Sequence, residues 1–81
     1  MKDHKEIRKF HRVQTTAGLV SYSFGTTTII VDEWEDKDGD LHLRPVAGYH
    51  EERATLKDLT DDDVAAYCEM IEDEIRRRKA S

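Results

Sequence analysis

The residues able to carry chemistry are few and scattered. Four histidines, His4, His11, His42 and His50, and a single cysteine, Cys68, lie along the chain without the paired spacing a structural zinc site needs. Asp36-x-Asp38-Gly39-Asp40 has the middle of an EF-hand loop. Placing Gly39 at the sixth loop position, however, puts Trp34 at the first and Pro45 at the twelfth, where Asp and a bidentate Glu are required. His50 with Glu51 and Glu52 can be written as an acid–base group, yet no nucleophile or phosphate loop accompanies it. Ser21 and Ser23 have no elbow motif around them. Cys68 would need a neighbouring base and a lowered pKa to act as a nucleophile. These residues predict no catalytic group, no metal and no cofactor; the expectation is a non-enzymatic protein.

Charge is the stronger signal. Asp32, Glu33, Glu35, Asp36, Asp38 and Asp40 crowd around Trp34, with Lys37 the only cation inside the run. Like charges on one hairpin oppose folding slightly, so they serve either to guard a sheet edge or to dock a partner. An aromatic set among charges has the composition of an interface hot spot. The expected partner-binding set is therefore Asp32, Glu33, Trp34, Glu35, Asp36, Asp38 and Asp40. The partner they imply is a protein with a basic surface, including one that itself binds nucleic acid. The two basic stretches have simpler readings. Arg76, Arg77 and Arg78 each follow an acid, Glu72, Asp73 or Glu74, by four residues, the favourable order for helix ion pairs. MKDHKEIRKFHR carries five Lys or Arg against Asp3 and Glu6 and reads as a frayed, solubilising terminus over residues 1–8.

The element that must hold this hairpin is the last quarter, Leu59 to Lys79. Thr60 is an N-cap, Asp63 completes a capping-box pattern, and Leu59 and Val64 fill the two staple positions. Asp61, Asp62 and Asp63 at the start and Arg76 to Lys79 at the end complement the helix dipole. At 100° per residue Val64, Tyr67, Cys68, Ile71 and Ile75 share one arc. Ahead of it, Val13–Thr16, Leu19–Phe24 and Thr26–Trp34 are rich in β-branched and aromatic residues and read as strands. Gly18 and Gly25 mark turns. Asp36-Lys37-Asp38-Gly39 suits a type I turn with a G1 bulge, a register that sets Asp32 across from Arg44 and Ile30 across from Val46. Pro45 places the returning strand at a sheet edge or near its end. Ala47 to Leu56 has no clean period and reads as loop, with a short strand near Arg53 to Leu56.

Eighty-one residues, 37% apolar and 38% charged, make one small domain with a thin core. The expected fold is α+β: an antiparallel β-meander of three or four strands packed by one C-terminal α-helix, its other sheet face left to water or to a second copy. The net charge of −5 argues against general duplex binding. One cysteine suits a reducing compartment, no run approaches the ~20 apolar residues of a membrane span, and the opening residues do not read as a signal peptide. The expected setting is the cytoplasm.

IIVDEWEDKDGDLHLRP followed by TLKDLTDDDV resembles the coactivator-type single-stranded-DNA binders, over roughly half the chain. The resemblance implies a curved antiparallel sheet with a C-terminal helix that dimerises. It gives a second reading, a single-strand binder using Lys5, Arg8, Lys9 and Arg12 beside exposed Tyr22 or Phe24. This hairpin is acidic where that family needs basic and aromatic residues. The leading expectation is instead an acidic adaptor or inhibitor, a nucleic-acid mimic of the size and charge that phage or mobile-element accessory proteins have.

Overall fold

The computed structural model describes residues 9–80, so the arm over residues 1–8 lies outside the described residues. The elements run β1 (His11–Gln14), β2 (Val20–Phe24), β3 (Thr27–Glu35), β4 (Leu41–Glu52), β5 (Thr55–Asp58) and a helix, α1 (Asp61–Ala80). The strands form one sheet in the order β1-β2-β3-β4-β5, every neighbour antiparallel. The architecture is thus an α+β meander with a C-terminal helix, built from five strands rather than three or four. The fifth strand, β5, overlaps the short strand expected near Arg53 to Leu56, and the residues before it, read as loop, continue β4. β4 does not end near Pro45 but runs on to Glu52, and Arg53-Ala54 turn it into β5. Both turn residues have positive φ, 52° and 63°, so this is a two-residue turn of the primed type, made without glycine.

Strand registers sort the side chains cleanly into two faces, because directly opposed residues share a side. Rows Gln14–Val20–Val31–Pro45, Arg12–Tyr22–Ile29–Gly48 and Phe24–Thr27–His50–Lys57 lie on one face, continued by Glu33–Leu43. The helix covers this face. Val20, Tyr22, Phe24, Ile29, Val31 and Leu43 of the sheet and Val64, Cys68 and Ile71 of α1 form the buried core, with Tyr67, Met70 and Ile75 packed at its margin. The helical arc read from the sequence is therefore the one that packs.

The register slips between Ile30 and Val31: Val31 opposes Pro45, but Ile30 opposes Ala47, leaving Val46 as the extra residue of a bulge. The expected Asp32–Arg44 pairing forms, whereas the expected Ile30–Val46 pairing does not. Pro45 is tolerated because β5 pairs only with Tyr49 to Glu52, so the outer edge of β4 at Pro45 has no ladder partner. That edge is closed by the helix instead. The Leu43 amide donates to Glu72 Oε2 at 2.7 Å. Pro45, pointing the same way two residues on, has no amide to leave unpaired.

Helix entry follows the predicted chemistry. Thr60 Oγ1 accepts from the Asp63 amide at 3.1 Å, and the Val64 amide donates to the Thr60 carbonyl at 3.0 Å. The Leu59 amide donates to the Gly48 carbonyl at 2.9 Å, fixing where the chain leaves the sheet. Among the described residues no helix is long and apolar enough to cross a membrane.

Candidate functional site

The β3–β4 hairpin holds the acidic run, and the structure divides its carboxylates into two kinds. Asp36 and Glu33 are structural. Asp36 Oδ1 accepts the Asp38 and Asp40 amides at 2.9 and 3.0 Å, inside the predicted turn, where the Asp36 amide donates to the Asp40 carbonyl and the Gly39 amide to the Asp36 carbonyl. Gly39, at φ 84°, takes the left-handed position that closes such a turn. Asp36 Oδ2 meets His42 Nε2 at 2.7 Å, and the His42 ring stacks on Trp34 at 4.5 Å between centroids. The hydrogen bond from His42, then the turn amides, holds the Asp36 carboxyl below its ordinary value. Lys79, from the far end of the helix, donates to the Gly39 carbonyl at 3.2 Å and braces the tip.

Glu33 is drawn back into the fold. Arg12 grips it in two places, Nη2 to Oε1 at 2.5 Å and Nε to Oε2 at 2.9 Å, and the Tyr22 hydroxyl donates to Oε2. One carboxylate thereby ties β1 to β3 across β2. The Arg12 fork pushes the Glu33 carboxyl below the usual range, with the Tyr22 hydroxyl acting the same way and burial opposing both. Burial and the Glu33 charge together push the Tyr22 phenol up.

Glu35, Asp38 and Asp40 are different. Their side chains are exposed and make no hydrogen bond or ion pair to any described residue. Asp32 is half-buried across from Arg44, also without an ion pair among the described residues. Trp34 is 46% exposed, so it lies outside the core. Of the seven residues expected to dock a partner, the hairpin tip thus presents Trp34, Glu35, Asp38 and Asp40, while Glu33 and Asp36 position them. Sequence reasoning overlooked His42, Arg12 and Lys79. His42 was within reach, since an Asp32–Arg44 register necessarily sets Trp34 against His42. Arg12 and Lys79 arrive through tertiary structure and leave no local signal.

The other sequence candidates are dispersed. His50 lines a cleft of about 340 Å³ between Thr27 on the sheet and Leu59, Asp63, Tyr67 and Met70 beside it. Glu52 shares its face but pairs with Lys57 at 2.9 Å, and Glu51 points to the opposite face, so the acid–base group is split. Cys68 is buried, and its thiol is pushed up to about 11 by that burial and then by Glu72. Among the described residues no three His, Cys, Asp or Glu side chains gather as metal ligands. Tyr22 and Phe24, 0% and 3% exposed, lie under the helix and offer no stacking surface to a single strand. The arginines of the helix end are exposed but pair with acids of the same helix: Glu74, itself buried, receives Arg77 at 2.6 Å and Arg78 at 2.9 Å. The expected Asp73–Arg77 pair does not form, because Asp73 meets Arg76 instead.

Comparison with protein families, with curated proteins and with solved structures returned no match.

Proposed function

We propose that this chain is a non-enzymatic binding module that docks a basic surface of a partner protein through the tip of the β3–β4 hairpin. What supports the reading is one contrast. The helix carboxylates Glu72, Asp73 and Glu74 all have arginine partners, whereas Glu35, Asp38 and Asp40 have none among the described residues. They stand beside a half-exposed tryptophan on a turn braced by Asp36, His42 and Lys79. A rigid tip loses little freedom on binding, and unpaired carboxylates steer a cationic partner from a distance. A partner whose basic surface binds nucleic acid would meet these carboxylates where phosphates otherwise sit, which suits an inhibitor or adaptor.

Trp34 is the sole tryptophan, so its fluorescence reports on the tip directly. Titration with an arginine-rich peptide should change that fluorescence, more weakly as salt is raised. Glu35→Lys with Asp38→Lys should lower the affinity tenfold or more and leave the melting temperature nearly unchanged. Wild-type affinity in that variant would retire the proposal.

A further inference from the structure

The face of the sheet turned away from α1 is left uncovered by the described residues, and its composition is not that of a purely solvated surface. The registers place Val13–Ser21–Ile30–Ala47 and His11–Ser23–Thr28–Tyr49–Asp58 in its two central rows, flanked by Asp32–Arg44 and then Trp34–His42 on one side and by Glu51–Leu56 on the other. Three of the large exposed apolar side chains, Leu56 at 64%, Val13 at 55% and Trp34 at 46%, belong to these rows, and Val46 at 49% protrudes from the bulge between them. Within β2, β3 and β4 the central rows carry no charge. The charged residues sit around them: Asp32, Arg44 and His42 toward the β3–β4 turn, Glu51 toward the β4–β5 turn, and His11 and Asp58 at the β1 and β5 margins.

We propose that this face is the interface between two copies of the chain, packed sheet to sheet about a two-fold axis lying across the strands. Such an axis turns each sheet end for end over its copy. The Arg44 end of β4 then covers the Glu51 end of the other β4, cation against carboxylate, and the central rows meet each other. Rotation about an axis along the strands would instead keep Arg44 and Glu51 at different levels, so that the two could not meet. The self-complementary arrangement gives Arg44 and Glu51 a partner at both ends at once. Five strands about 4.8 Å apart offer roughly 500 Å² per copy, so the pair buries on the order of 1,000 Å², near the lower bound of specific interfaces. The association is accordingly weak and concentration-dependent, and it leaves the acidic tips at opposite ends of the dimer.

Sedimentation equilibrium from micromolar to millimolar chain tests this. The mass should climb from 9.4 kDa toward twice that value. Ala47→Glu puts a charge near the two-fold, where it meets itself, and should weaken association tenfold or more at unchanged melting temperature. Val13→Glu, on the exposed edge strand, should act in the same direction and stands in if the first variant folds poorly. Glu35→Lys with Asp38→Lys, on the tip, should still associate like the wild type. A chain that stays monomeric at millimolar concentration, or a pair of face variants that associate as well as the wild type, overturns the proposal. The second result would assign any dimer to the strand edges.

Discussion

A β-carbon built on Gly48 would lie 2.8 Å from Val64 Cγ2, 3.0 Å from Leu59 Cδ1 and 3.2 Å from Ile29 Cγ2. The helix entry and the middle of β3 both press on this position, so the residue is glycine because of contact and not because of backbone conformation. Removing unfolded-chain freedom by Gly→Ala ordinarily stabilises by about 0.4–1 kcal/mol. Overpacking, at about 1–3 kcal/mol, outweighs that here because three neighbours crowd the added atom. Gly48→Ala should therefore shift the urea midpoint downward; a midpoint at or above wild type would mean the helix rides freely on the sheet. Gly48 looked like a loop residue in the sequence because nothing local states that a helix will land on it. The same limit applies to the acidic run. Glu33 and Glu35 are alike in sequence, and only the arrival of Arg12 separates a latch from a carboxylate without a partner among the described residues.

At the scale of elements, the helix was the most legible part, because cap, staple, end charges and apolar arc agree within twenty residues. The second half of β4 was the least. Before the bulge Leu41, Leu43 and Pro45 face the helix; after it Gly48, His50 and Glu52 do. One extra residue at Val46 inverts the alternation, so a period-2 reading across it dissolves into apparent loop. The following turn carries no marker either, since Arg53 and Ala54 both occupy the left-handed region that glycine and asparagine favour. An L-residue there is disfavoured by about 1–2 kcal/mol. Arg53→Asn with Ala54→Gly should raise stability by about 1–2 kcal/mol. Thermal denaturation checks this, and a double variant no more stable than wild type would show that the strain is relieved elsewhere.

For the molecule as a whole, the Arg12–Glu33–Tyr22 contact closes the sheet at its β1 edge, while Phe10 packs edge-on against Tyr22 under the Arg78 guanidinium. Strand edge, core and helix end thus share one set of side chains. Because Glu33 is held below its ordinary pKa, its contribution is fully present above the unfolded value, about 4.3, and is lost as pH falls through the lower folded value. Asp36, Glu52 and Glu74 shift in the same direction and add to the acid limb. Glu33→Gln should lower stability at neutral pH and narrow its deficit against wild type as the solution is acidified. Urea midpoints at neutral and acid pH would show this; a deficit that stays constant with pH would mean the carboxylate charge is not what matters.

Local sequence is enough for the helix and its packing arc, the β-rich centre and the Asp36–Gly39 turn. In each of these the decisive interactions lie within a few residues along the chain. Long-range contacts set the length of β4, the division of the acidic run into latch and tip, and the pairing of sheet faces with helix or solvent. Those outcomes depend on partners tens of residues apart, Arg12 with Glu33, Leu43 with Glu72 and Gly39 with Lys79, whose meeting is set by register and bulge and not by local preference.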